Sequence, residues 1–359
     1  MSTETQSPVR VTKEPTGSIR PQRRLPRFAA AGLYAAGIAL GAALSALTGF
    51  SIALTVVYGV VLGTIAVYVG ARLVEGTRKA SDRLVTALVT TAFAVAMIPL
   101  LSLVYTVLDR GLARFDGTFF SNSMFRVVGE GGGAYHAILG TVIITALTAV
   151  ISVPIGLLTA IYLVEYGRGR LQRAITFFVD VMTGIPSIVA GLFAFALFTL
   201  LFGNDVRLGV MGAVALSVLM IPVVVRSCEE VLKLVPNELR EASYALGVPK
   251  WRTVLKVVIP TSIAGLGTGI TLAVARVIGE TAPLLVTTGF VNGTNLNPFD
   301  GRMATLPVFA YYQLTQPGTA TQAFIDRAWT AALVLIILVM ALNVVARLIS
   351  RFFAPKTGR

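Results

Sequence analysis

The chain alternates long apolar stretches with short polar ones. Eight stretches are long enough to cross a hydrocarbon core, which takes about 20 helical residues: roughly 28–49, 51–71, 84–108, 137–162, 184–203, 208–225, 260–280 and 328–349. All predict helices, because lipid offers backbone groups no hydrogen-bond partner and none of these stretches shows the period-two pattern of barrel strands. The first two are rich in Ala and Gly and joined only by Thr48, Gly49, Phe50 and Ser51, which predicts a tight helical hairpin ahead of a six-span core. The stretch 174–203 is too long for one untilted crossing and holds Asp180, Gly184 and Pro186. A break is expected there, with Ala174–Met182 near the interface and the crossing helix starting at Pro186, a natural first helical residue.

Two polar segments are also long enough to matter. Residues 109–136 end in Gly129, Gly131, Gly132 and Gly133, expected to be a flexible approach to the next span. In 281–327 the run Pro307–Tyr312 has two readings: a re-entrant or surface-lying piece, or an interfacial aromatic belt.

Composition places the whole chain in a bilayer. Of 359 residues, 55% are hydrophobic and 13% charged, against roughly a quarter charged in soluble domains. A net charge of +13 raises nucleic acid as a partner, but the positions of the charges exclude it. Of the 30 Lys and Arg, 23 fall in 1–27, 72–83, 165–173, 226–256 and 347–359. These segments share one side if the N-terminus is cytoplasmic, so the positive-inside rule puts both termini in the cytoplasm. Residues 1–27, polar and Pro-rich, read as a disordered cytoplasmic tail able to touch anionic lipid headgroups. A secretory signal fits less well, its n-region being too long. The domain reading is therefore the tail 1–27, an accessory hairpin 28–76 and a transmembrane domain 84–350, most characteristic over 137–347. One cysteine, Cys228, and one histidine, His136 in the Gly-rich loop, cannot build a disulfide, a multi-histidine metal site or a Cys/His cluster. No catalytic residues and no metal are expected.

The segment 229–259 carries its own structure. Pro236 followed by Asn237–Leu246 predicts a short helix stopped by Gly247, and Pro249 opens a second helix to Val258. Two angled helices would make a knob on the cytoplasmic face, and small residues Ala242, Ser243 and Ala245 leave one side of the first able to enter a partner's groove. Glu241-Ala242-Ser243, then Gly247, then Ile259-Pro260 resembles the EAA motif of bacterial ABC importer permeases. Ser243 and Ile259 depart from its strict Ala and Leu but keep small and apolar character. The resemblance implies an all-α polytopic membrane bundle of the type I ABC importer permease fold. It also implies that Glu241, Ala242, Ser243, Gly247 and Pro260 belong to a loop coupled to a cytoplasmic ATPase. The sequence holds no Gly-x-x-x-x-Gly-Lys-Ser/Thr phosphate loop, so this chain binds no cofactor of its own and ATP is expected to be used by a separate subunit.

Arg276 and Glu280 are spaced one helical turn apart, on one face, in the last but one span. Charges are costly in lipid and usually face protein or a watery path. Either the two neutralise each other, or Arg276 meets an anion and Glu280 holds its guanidinium when the path is empty. The guanidinium fork matches phosphate oxygens. Gly265 and Gly269 allow close packing against another helix. The segments Gly184-Ile185-Pro186-Ser187 through Phe193, and Arg276 through Pro283, resemble segments shared by the permeases of the phosphate-specific (Pst) importer, most nearly its A-type permease, over about 84–350. That resemblance implies import of inorganic phosphate by alternating access in a bacterial plasma (inner) membrane. The implied partners are a second homologous permease, an ABC ATPase dimer and an extracytoplasmic phosphate-binding protein. The hairpin 28–71 exceeds the shortest six-span pattern of that family. Import of another solute (sulphate, molybdate, phosphonate, an amino acid) fits the coupling loop equally. An ATP-independent transporter leaves the knob unexplained, and a membrane hydrolase lacks a Ser/His/Asp arrangement.

Overall fold

The computed structural model describes residues 25–353 apart from 27, 48, 50, 204, 205 and 319; the tail expected over 1–27 lies outside them but for Leu25 and Pro26. Helices account for nearly all regular structure, and no strand occurs among the described residues. Among the described residues seven helices are long and apolar enough to cross a membrane, and one sharply bent pair makes an eighth if it is a single span. The chain divides into two compact units, at Leu103 and Val104.

The first unit holds α1 (Ala29–Leu47), α2 (Ile52–Val74) and most of α3 (Thr77–Gly111). The α1–α2 hairpin closes on glycines. A Cβ on Gly37 would fall 2.6 Å from the Gly63 nitrogen, and one on Gly41 would fall 2.6 Å from the Gly59 nitrogen, so the two backbones touch as small-residue stripes allow. Hydroxyls lock the pair further, Ser45 Oγ lying 2.6 Å from Thr55 Oγ1. Only Glu75 and Gly76 separate α2 from α3, and Glu75 organises that turn. Its carboxylate accepts from Arg83 Nε and Nη2 (2.9 and 3.0 Å) and from the Leu25 amide (2.8 Å). These bonds, led by the Leu25 amide, hold its carboxyl below the usual carboxylate range.

In the second unit, α4 (Gly117–Ser121) lies in the segment leading to α5 (Tyr135–Ile161), which ends in a π turn, Tyr162–Tyr166. Then come α6 (Gly169–Thr183), α7 (Ser187–Phe202) and α8 (Gly209–Lys233). Helix α8 is the axis: α5, α6, α7, α11 (Ile259–Val277) and α12 (Ala282–Thr287) all pack on it. Its Met220, Val224, Cys228 and Leu232 are fully buried with Ile144, Leu266 and Ala273 in the main core. Close approach again needs glycine. Gly265 and Gly269 of α11 would carry Cβ atoms 2.6 Å from Val231 and 2.8 Å from Ser227 of α8, the tight packing their spacing predicts. The remaining helices are α9 (Asn237–Ala245), α10 (Lys250–Thr253), α13 (Leu306–Thr315) and α14 (Thr321–Phe353).

Three sequence expectations change. The segment before α5 is fixed rather than flexible. Arg327 of α14, fully buried, donates Nη1 to the carbonyls of Gly129 and Gly131 (both 2.8 Å) and Nε to Gln313 (3.0 Å). Gly129, Gly131 and Gly132 take positive φ (+83°, +87°, +63°), which lets this loop turn both carbonyls inward. His136 lies in the first turn of α5, 2% exposed and edge-on to Phe309, and not in a loop. The run Pro307–Tyr312 forms most of α13, whose Leu306 and Phe309 are fully buried in a second core with Phe119 and Ala137, while its Val308 is buried in the main core. It is therefore neither surface-lying nor simply a belt. At ten residues it rises about 15 Å, half a crossing.

Candidate functional site

Two chain breaks face one cavity. The first lies between α6 and α7, whose axes bend by 106° across Gly184, Ile185 and Pro186. Gly184 caps α6, and Pro186, at ψ 137° rather than helical, starts α7 at Ser187. The second break follows Val277: α11 ends there, and Ile278–Thr281 lead into α12. Glu280 thus lies beyond the helix, its amide bonded to the Val277 carbonyl (3.1 Å), and not one regular turn above Arg276 as the spacing predicts. Gly191 of α7 lets the second break come close, since a Cβ there would fall 2.7 Å from Pro283 Cα. Ser187 and Thr183 from the first break and Arg276 and Glu280 from the second line a cavity of about 210 Å³, closed on one side by Leu219 of α8.

Arg276 and Glu280 share this cavity without forming an ion pair, and neither bonds to another described side chain. Glu280 is half-buried, Arg276 exposed. A guanidinium held at a small polar cavity, with a carboxylate beside it, can receive an oxyanion through paired N–H donors. Among the described residues no cluster of His, Cys, Asp or Glu could hold a metal.

The knob stands at the C-terminal end of α8. Helix α9 stops at Gly247, whose φ of +74° permits the reversal, and the Val248 amide returns to the Ser243 carbonyl (3.2 Å). The second knob helix does not end at Val258. It continues from Lys250 through a π turn, Val254–Val258, into α11, one 28-residue rod to Val277. The π turn explains why Pro260 leaves the rod unbroken. Proline has no N–H and crowds the carbonyl four residues back; the Ile259 amide bonds instead to Val254, five back, and the widened turn accommodates the ring.

Within the knob Ser243 is buried, its Oγ 2.8 Å from Thr253 Oγ1, so it joins the two helices rather than facing outward. Glu241, Ala242 and Ala245 are exposed, as is Leu246 at 83%. Sequence reasoning missed the anchor. Arg240 uses its three nitrogens at once: Nε on Glu165 (2.9 Å), Nη1 on the Val235 carbonyl (2.6 Å) and Nη2 on the Leu232 carbonyl (3.1 Å). Glu165, 8% exposed in the π turn after α5, also accepts from Lys250 through its carbonyl. A lone acid closing a 27-residue apolar helix was the available signal. Arg226 joins the same end of the bundle, bonding Asp180 of α6 and Glu229 (2.7 Å), while Lys233 holds Glu229 from one turn on (2.7 Å).

The family model described as "Binding-protein-dependent transport system inner membrane component" matches residues 152–359. The chain is 47% identical over 285 residues, 79% of its length and 91% of the relative's, to "Phosphate transport system permease protein PstA 1" of Mycobacterium tuberculosis (strain ATCC 25618 / H37Rv). It is 35% identical, over 78% of its length and 97% of the relative's, to "Phosphate transport system permease protein PstA" of Pasteurella multocida (strain Pm70). Among solved structures, the bacterial alginate ABC transporter in complex with an alginate pentasaccharide-bound periplasmic protein has a similar fold, with a TM-score of 0.54 at 13% identity, covering 78% of this chain and 97% of that one. Matched by the family model over more than half its length and by relatives over most of theirs, the chain belongs to the family of binding-protein-dependent transport system inner membrane components.

Proposed function

We propose that this chain is the permease subunit of an ATP-driven importer of inorganic phosphate. The observation that carries this reading is its 47% identity, over most of both chains, to a phosphate transport system permease. The cavity at the two breaks supports it, because one guanidinium balanced by a nearby carboxylate can hold an oxyanion long enough to pass it and weakly enough to release it. The substrate path runs past Arg276 and Glu280, with Thr183, Ile185 and Ser187 lining its opposite wall where Gly184 and Pro186 break the chain, and with Gly265 and Gly269 setting the packing of the rod on α8.

ATP is hydrolysed by a separate dimer seated against the exposed face of α9, around Glu241, Ala242, Ala245 and Gly247. Ser243 acts from inside the knob and Pro260 from within the rod. A second permease of related fold completes the membrane unit, and an extracytoplasmic binding protein delivers the anion. The knob and both termini face the cytoplasm, where the cationic segments lie. Movement of the knob turns the rod 250–277, and the breaks at its far end pass between outward-open and inward-open arrangements.

Arg276→Gln tests the reading. In cells dependent on this importer, phosphate uptake is expected to fall to background while the permease still copurifies with its ATPase. Full uptake by the variant would remove Arg276 from the path.

A further inference from the structure

A second cavity, of about 330 Å³, lies at the end of the second unit away from the knob. Arg207 reaches it from the residues just ahead of α8, whose 25 residues rise about 37 Å to the knob end. Arg302 reaches it from the loop between α12 and α13, and Tyr312 of α13, Gly289 and Leu285 complete the wall. Both arginines are preset. The Val210 amide donates to the Pro298 carbonyl (2.7 Å), latching the Arg302 loop onto the start of α8. Asn295 Nδ2 donates to the carbonyls of Asp300 and Arg302 (2.7 and 3.0 Å), closing the loop on itself. Arg207 lies over the Phe195 ring, 4.7 Å from its centroid, and Tyr312 stacks on Phe290 at 4.6 Å.

Neither guanidinium forms an ion pair or a side-chain hydrogen bond with any described residue, although Asp300 is only two positions from Arg302. Two cations held at one concavity without a counter-charge among the described residues repel each other and create a positive focus. An anion with several oxygens relieves that repulsion, and a 330 Å³ space is ample for a tetrahedral oxyanion. Helix α12 connects this cavity to the other: Glu280 lies just before its first turn and Gly289 just after its last, so the two sites are separated by about nine residues, roughly 14 Å of helical rise.

We propose that Arg207 and Arg302, with the Tyr312 hydroxyl, form an entry site that captures the oxyanion on release from the binding protein, before it reaches Arg276. This inference rests on the reading of the chain as an oxyanion importer. It also assigns the two arginines a ligand other than the binding protein itself.

The test uses the complete importer, purified with its ATPase and second permease. Phenylglyoxal modifies accessible arginines, and mass spectrometry after digestion follows Arg207, Arg302 and Arg276 in the same sample. Inorganic phosphate at ten times its dissociation constant is expected to slow modification of Arg207 and Arg302 about tenfold, with chloride at equal ionic strength giving no protection. In vesicles, the R207Q/R302Q double variant is expected to keep normal stimulation of ATP hydrolysis by phosphate-loaded binding protein while importing severalfold less phosphate per ATP; R302K retains more than R302Q. Protection at Arg276 with none at Arg207 and Arg302 overturns the entry site and leaves the proposed function standing. Protection by phosphate-free binding protein, with loss of its stimulation in the double variant, overturns it in favour of a docking contact. A wild-type importer that takes up no phosphate and shows no protection at any of the three overturns both readings.

Discussion

At the scale of single residues, backbone conformation and charge partners decide what each position tolerates. Gly247 sits at φ +74° with open space around it, so a substitution meets strain rather than a clash. A β-branched residue there forfeits on the order of 1–2 kcal/mol of local stability. G247V is expected to let ATP hydrolysis proceed with little phosphate uptake, whereas G247N, whose side chain tolerates this region, keeps the two coupled; the measurement is phosphate imported per ATP in vesicles. Equal coupling in both variants would dissociate the turn from the motor. Glu75 gives a pH signature. Because its folded carboxyl titrates below the ordinary range, its contribution is present above about pH 4.3, the unfolded value, and is lost as pH falls through the lower folded value. The protection factor against hydrogen exchange in the turn between α2 and α3, taken relative to the intrinsic rate at each pH, should stay constant from pH 7 to 5 and fall in stronger acid. E75Q should have a lower protection factor at pH 7 and lose that acid dependence, and a wild-type protection factor unchanged into strong acid would refute the assignment.

At the scale of elements, α9 is held in the knob by a few polar bonds rather than by a core, Ser243 being its buried residue. Removing Arg240 deprives Glu165 of its partner and frees two carbonyls, so R240A is expected to make the chain several times more sensitive to limited proteolysis between 236 and 250 while the spans remain protected. Unchanged cleavage rates would mean that the Ser243–Thr253 bond and the continuous rod suffice. This anchor is what the sequence could not reveal. The hydropathy of the spans, the α9 helix and its Gly247 stop are local signals, and all are readable from spacing. The partnership of Glu165 with Arg240 joins positions 75 apart, and that of Arg327 with Gly129 joins positions 198 apart. Nothing periodic connects them. Pro260 misleads in the opposite direction: read locally it ends one helix and starts another, but a π turn absorbs it and the rod runs through. The same local reading carries α11 through Glu280, although Gly279 and Pro283 follow soon after the place where the helix ends.

At the scale of the whole molecule, the second unit sets its polar features at opposite ends of α8: the knob and its ion pairs at one, the Arg207–Arg302 cavity at the other, with the two facing breaks between. The Arg240 guanidinium gives that layout a mechanical meaning. It grips the last turn of α8 and the turn beyond it through the Leu232 and Val235 carbonyls, and the tail of α5 through Glu165, while the covalent chain fastens the knob to the rod. A stroke delivered to the knob is therefore shared among three shafts at their common foot. None has to buckle for the others to tilt, and play in any one joint would be taken up by the remaining two.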